Sequence, residues 1–345
     1  MQVRVWVGRT VAIAISGLIV LLATAHAHAQ TDVFFDVSVR GSGVATIHAH
    51  IYNNSAASNG GTLLAVPGMT ESASTYKPLA QTIFADSRLK RLVRRVIALD
   101  FIAHGDSSNP TGLPSGTKFG DLTVEDDVST LIQAIKALRS RGLGASLIIA
   151  HSMGGLVVQG AQESLLAQRS SLSALGIRSA ILLAPVPCAE SPFNLSLNAD
   201  LSPFIVNDTV LGSYLSLPPA AWQAVGGFTT KAGTLVPNAP TLATITAEEY
   251  PAIEPITTLL QVVGLIPVPR PSVRRGAFAL QNGTLLAIIS YSQDVLVPAD
   301  DLDDLYLYLV GRNDFLYRPV VTADAVHSMN ISNPAGLLAA IRDMM

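Results

Sequence analysis

The chain has 345 residues, of which 49% are hydrophobic and only 14% charged, and its formal net charge is −3. That length builds one large domain or two small ones with ample core. A weakly acidic balance leaves no electrostatic footprint for nucleic acid or for an acidic membrane surface, and the one cysteine, Cys188, excludes a disulfide framework and reads as a small buried residue.

In chain order, Arg4 and Arg9 precede an apolar run from Val11 to Ala23, and Ala27-His28-Ala29 follows. A basic start, a short apolar segment and an Ala-x-Ala site describe a secretory signal peptide over residues 1–29. The run is short for a membrane span, so we expect an exported protein, periplasmic or secreted, with no stable membrane insertion after cleavage. Cleavage after Ala29 is the first expectation and after Ala27 the second. Removing the two arginines brings the net charge to −5.

Val33 to Tyr52 alternates and is β-branched, which predicts an antiparallel pair of edge strands. His48 and His50 then share a face, but with no acidic or further histidine ligand nearby in sequence, no metal is expected there. Thr62–Val66 reads as a buried strand ending in Pro67-Gly68-Met69, and Ser72–Phe84 as a helix. Arg88, Lys90, Arg91, Arg94 and Arg95 form a basic run, read as a solvated face before the strand Arg95–Asp100. The turn Ala103-His104-Gly105 follows. Thr123–Leu138 carries Val124, Val128, Leu131, Ile132, Ile135 and Leu138 at helical spacing, with Thr123 as cap and Asp126 three residues on.

Leu147-Ile148-Ile149-Ala150 is an apolar run ending on His151-Ser152-Met153-Gly154-Gly155, after which Leu156 to Ala161 is helix-compatible. Strand, sharp turn with serine at its tip, small residues, helix: this is the context of a nucleophile elbow. The usual Gly-x-Ser-x-Gly begins here with Ala150, which still meets the demand for small size. Ser179–Leu183 is another buried strand. From 190 to 280 prolines and scattered aromatic residues replace the alternation of strands and helices: Phe193, Phe204, Tyr214, Trp222, Phe228, Tyr250. Leu285–Ser290 returns as a strand, followed by Asp294 within Gln293-Asp294-Val295-Leu296-Val297-Pro298. Ala299–Leu309 fits a helix and Leu316–Val321 the last strand. His327 falls on the next loop, and Asn333–Met345 reads as a final helix.

These motifs resemble the α/β-hydrolase superfamily over residues 62–340, the stretch 190–280 carrying none of the likeness. The resemblance implies a mainly parallel central sheet with helices on both faces, its core over 30–189 and 281–345, interrupted by a cap at 190–280. The order Ser152…Asp294…His327 matches the family's nucleophile, acid and base, and the positions after Gly68 and after Ser152 imply Met69 and Met153 as the oxyanion donors. Asp100 matches a structural turn of the family. Asp301 and Glu190 are rival acids, and His104 and His151 rival bases. Ser152 at the tip disfavours the Asp nucleophile of dehalogenases and epoxide hydrolases.

The implied activity is hydrolysis of a carboxylic ester or lactone, on a small or medium apolar substrate, with neither cofactor nor metal. Amidase, C–C hydrolase and cofactor-free haloperoxidase chemistry use the same triad, and a catalytically silent binding protein is the alternative of another class. Nothing in the sequence sets the oligomeric state.

Overall fold

The computed structural model describes residues 30–57, 59–187, 201–218, 221, 227–236, 253–263, 285–300, 302–303, 305–306, 316–317, 320–321 and 325–343. The expected signal segment 1–29, Cys188, Glu190, Phe193, Trp222, Tyr250 and Asp301 lie outside them.

One large sheet runs through the molecule. Its strands are β1 (Gln30–Val39), β2 (Gly43–Asn53), β3 (Gly61–Val66), β4 (Val93–Leu99), β5 (Leu147–His151), β6 (Ser179–Leu183), β10 (Leu285–Tyr291), β11 (Leu316–Tyr317) and β12 (Val320–Val321). The spatial order is β1-β2-β4-β3-β5-β6-β10-β11, with β12 also on β10. β1 with β2 and β2 with β4 are antiparallel, and the rest are parallel. β1 is the edge strand, whereas β2, expected at an edge, is covered by β4. The central strands are continuous apolar runs because neighbours cover both of their faces; all five residues of β5 are buried.

The connections set the layers. β3 returns to β4 through a 3₁₀ turn at Ala73–Tyr76 and helix α1 (Lys77–Ala85), where one long helix was expected. The short helix α2 (Leu89–Leu92) lies within the basic run, whose Arg88, Lys90, Arg91 and Arg94 are exposed. β4 leads to β5 through α3 (Val124–Ser140), and β5 to β6 through α4 (Met153–Ala167). The step from β3 to β4 runs one way along the sheet and the steps from β4 to β5 to β6 the other. Right-handed crossovers therefore place α1 on one face and α3 with α4 on the opposite face. The final helix α7 (Pro334–Asp343), after the short α6 (Met329–Ser332), packs on α1.

Local signals explain the boundaries. All six apolar residues expected on one side of α3 are buried. The Asp126 carboxylate reaches back to accept from the Thr123 N–H at 2.8 Å and its hydroxyl at 3.0 Å, satisfying one donor that the helix start leaves open.

Between β6 and β10, β7 (Ile205–Asp208), β8 (Gly212–Ser216) and β9 (Ile253–Pro255) form a separate three-stranded antiparallel sheet, followed by α5 (Ile256–Val262). A small apolar core of Leu215, Leu217, Ala221 and Leu259 holds it together, and Met69 of the main body packs against that core. A second cluster joins Phe228 and Val236 to Val326 and Ile331. This insertion therefore rests on both the β3 loop and the loop that carries His327.

Candidate active site

In an open parallel sheet the crevice lies beyond the carboxyl ends of the strands, where the chain direction along the sheet reverses. Here that point is between β3 and β5, which are adjacent with Val66 opposite Ala150. Pro67-Gly68-Met69 and His151-Ser152 consequently emerge side by side.

Ser152 takes φ 50° and ψ −120° at the junction of β5 and α4. This is a region that side chains other than glycine rarely occupy, at a cost of about 1–3 kcal/mol. Neighbours hold it there. Its N–H donates to Leu183 O at 2.9 Å, and its carbonyl accepts from Gly155 at 2.9 Å and Val186 at 3.0 Å. The glycines are required by packing: a Cβ on Gly154 would lie 2.4 Å from Pro67 O, and one on Gly155 would lie 2.4 Å from Pro185 Cβ.

Asp294 and His327 meet across two loops. His327 Nδ1 donates to Asp294 Oδ2 at 2.8 Å, and both residues are buried. The other carboxylate oxygen, Oδ1, accepts from the N–H groups of Leu296 and Val297, each at 2.8 Å. The carboxylate is thus fixed by three donors, and the Nδ1 proton directs the imidazole's Nε2 lone pair away from the acid.

The N–H of Met69 and that of Met153 have no acceptor among the described residues. A Cβ on Gly68 would stand 3.1 Å from Ser152 Cβ, which shows how closely the β3 loop passes over the serine. Thr70, next in the chain, donates its N–H to Glu254 Oε2 of β9 at 3.1 Å.

Sequence reasoning missed Glu71. Its fully buried Oε2 accepts from the Gly68 N–H at 2.6 Å and pairs with His151 Nδ1 at 2.9 Å. His151 Nε2 donates in turn to the backbone carbonyl of His327 at 2.8 Å. Burial pulls the His151 imidazole toward neutrality, but the Glu71 charge and hydrogen bond outweigh it and raise its pKa; Glu71 is correspondingly lowered despite its burial. Both ring nitrogens face acceptors, which a doubly protonated ring satisfies. One buried ion pair therefore braces the β3 loop, the elbow and the histidine loop together. The available signal was a glutamate three residues past Gly68, set in an otherwise uncharged stretch.

The rival bases are engaged elsewhere, and so is Asp100; the rival acids Glu190 and Asp301 lie outside the described residues. Both ring nitrogens of His151 are taken by Glu71 and His327 O. His104 donates Nδ1 to Ile102 O at 2.8 Å and contacts Glu254 Oε2 through Nε2 at 3.1 Å. Asp100 accepts from the Ala73 N–H at 2.6 Å, from the Asp106 N–H at 3.1 Å and from His48 Nδ1 at 2.6 Å.

That last contact belongs to a correction. No acidic group was expected near His48 and His50, yet Asp32 lies opposite His50 in the β1–β2 register. Its Oδ1 is 2.6 Å from His50 Nδ1 and 3.2 Å from His48 Nε2. A three-residue turn, Arg40–Ser42, sets that register, and cross-strand partners stand on one face of a sheet. A separation of eighteen residues in sequence hid the pairing.

Comparison with known proteins agrees with this fold. The sequence model described as "Alpha/beta hydrolase family" matches residues 63–340. Similar solved structures include a bromoperoxidase from Bacillus anthracis (TM-score 0.57, 16% identity, covering 91% of this chain and 99% of that one). The Cif epoxide hydrolase from Acinetobacter nosocomialis is another (0.52, 14% identity, 99% and 98%). So is the esterase domain of a Rhodothermus marinus protein (0.50, 14% identity, 91% and 96%). No curated protein matches the chain. At such identities the likeness is one of fold, and the three proteins are named for different chemistries.

Proposed function

The chain belongs to the alpha/beta hydrolase family, and on that premise we propose that it is an exported serine hydrolase of carboxylic esters or lactones, working through Ser152, His327 and Asp294. The observation that carries this reading is the buried His327–Asp294 hydrogen bond on the same crevice as a serine held at positive φ.

A serine hydroxyl is a weak nucleophile at neutral pH and needs a base that is itself oriented. In the proposed reaction the Nε2 of His327 takes the Ser152 proton as Oγ attacks the acyl carbon. Asp294 holds the tautomer and stabilises the imidazolium. The carbonyl oxygen becomes an oxyanion, which accepts from the N–H groups of Met69 and Met153; loss of one such donor typically costs about 3 kcal/mol. His327 then protonates the leaving alcohol, leaving an acyl-enzyme on Ser152. Water, deprotonated by the same histidine, releases the acid and restores the serine.

Residues 190–280 act in this reading as a cap. Its described part buries apolar residues against Met69 on one side of the crevice and against Val326 on the other, which favours a small or medium apolar acyl group. An aspartate nucleophile of the epoxide-hydrolase kind is disfavoured because Ser152 occupies the tip. A panel of p-nitrophenyl esters of graded chain length, with lactones alongside, tests the substrate class. Turnover of at least one series, lost in Ser152→Ala, is expected; no turnover of any ester or lactone by folded protein would refute it.

A further inference from the structure

Asp32, His48 and His50 form a second polar cluster, on the outer face of the β1–β2 hairpin, that the proposed chemistry does not use. Their donor atoms, one per residue, all lie within 4.8 Å of one another. His48 is held from behind: its Nδ1 is 2.6 Å from Asp100 Oδ2. A carboxylate only accepts, so Nδ1 carries the hydrogen, and Nε2 is the atom that faces Asp32 Oδ1, 3.2 Å away.

Two acceptors facing at that distance need a proton or a cation between them. The same holds for His50 Nδ1 and Asp32 Oδ1 at 2.6 Å. His50 Nδ1 is also 3.0 Å from the Gln30 side-chain amide nitrogen. That amide can donate to Nδ1 only if Nδ1 bears a lone pair, in which case the contact with Asp32 lacks a hydrogen. A cation held by His48 Nε2, His50 Nδ1 and Asp32 Oδ1 relieves both contacts with the carboxylate; the Gln30 amide then turns away from Nδ1, whose one lone pair faces the metal.

The geometry points to a zinc site: we propose that Asp32 Oδ1, His48 Nε2 and His50 Nδ1 bind one Zn²⁺, with Asp100 orienting His48 from outside the coordination sphere. Two imidazoles and a carboxylate suit zinc, whereas magnesium and calcium select oxygen ligands. An Asp–His–metal arrangement of this kind fixes the tautomer and raises ligand basicity. Zinc–ligand bonds of about 2.0–2.1 Å put tetrahedral ligands roughly 3.3 Å apart, against 3.2 Å from Asp32 Oδ1 to His48 Nε2 and 2.6 Å to His50 Nδ1. Side-chain exposures of 0% for His48, 15% for His50 and 48% for Asp32 leave the fourth position open to water. The ion would clamp the edge strand to its neighbour. Through Asp100, which also accepts from the Ala73 N–H, it would reach the turn that follows Met69. The proposal stands independently of the ester chemistry.

The test uses the full chain freed of metal with EDTA and dialysed, titrated with zinc chloride by calorimetry and against a chromophoric chelator, with thermal melting alongside. Saturable uptake of one equivalent and a higher Tm with zinc are expected. Asp32→Asn changes an exposed side chain and His50→Ala a partly exposed one, and both should melt like the parent without zinc. Each should weaken that equivalent by at least about tenfold, the scale on which even outer partners of a metal matter, and abolish the zinc-dependent rise in Tm. No saturable uptake, or uptake unchanged in both variants, overturns the site; the latter result would assign the metal elsewhere, His26 and His28 included.

Discussion

Asp294 accepts three hydrogen bonds and donates none. An asparagine in its place must turn its NH₂ either toward the two backbone donors or toward His327, and each choice sets donor against donor. If the amide nitrogen faces His327, the imidazole moves its proton to Nε2 and can no longer act as base. Asp294→Asn should therefore lower ester turnover by on the order of 10⁴ if the triad behaves as in serine proteases, with Tm little changed. Asp301→Asn, beyond Pro298 and outside the described residues, serves as the control and should be close to the parent. An inactive Asp301→Asn beside an active Asp294→Asn, both folded, contradicts the acid assignment. Glu71 makes a different forecast. Removing one partner of a buried ion pair leaves the other charge uncompensated, so Glu71→Ala should destabilise by about 3–5 kcal/mol. The gentler Glu71→Gln should stay folded and reduce kcat more than it raises KM, because the β3 loop and the His327 backbone lose a common brace. Urea denaturation and steady-state kinetics on the two variants check this; unchanged kcat in Glu71→Gln contradicts it.

At the scale of elements, the insertion is tied to the sheet by Glu254 of β9, whose Oε2 meets both the Thr70 N–H and His104. Burial pulls the His104 imidazole down, but the Glu254 hydrogen bond and charge, with help from Ile102 O, outweigh it and raise the group from 6.5 to about 9. A histidine held above its unfolded value stabilises fully below about pH 6.5, and the contribution fades as pH rises through about 9. The shift corresponds to about 3 kcal/mol. Unfolding free energy measured from pH 6.5 to 9.5 should fall by that order in the parent and by much less in Glu254→Gln; parallel curves contradict the tie.

The same elements show what the sequence could reveal. β3, β5, β6 and β10 were legible because buried parallel strands are uninterrupted apolar runs bounded by turn residues. The elbow was legible because a serine at a strained tip needs small residues around it. Glu254 was not, since its partners Thr70 and His104 lie 184 and 150 residues away. Glu71 and Asp32 share the reason: each acts through a partner on another strand or loop.

For the molecule as a whole, the reading is of an exported enzyme whose chemistry resides in its own side chains. Protein recovered outside the cytoplasm should begin at or near Gln30 on N-terminal sequencing; an intact Met1 would indicate that the N-terminal segment is retained. Among the described residues no helix is long and apolar enough to cross a membrane. Ester turnover should survive EDTA, because Ser152 needs only His327 for activation; loss restored by a divalent ion contradicts this. The central claim is that Ser152 is the nucleophile. The most direct measurement is labelling with a fluorophosphonate, followed by intact mass and peptide mapping. The account predicts a single adduct on the peptide containing Ser152, absent from a folded Ser152→Ala variant that has also lost ester turnover. Folded parent protein that takes no label, or an adduct that persists in Ser152→Ala, would contradict it.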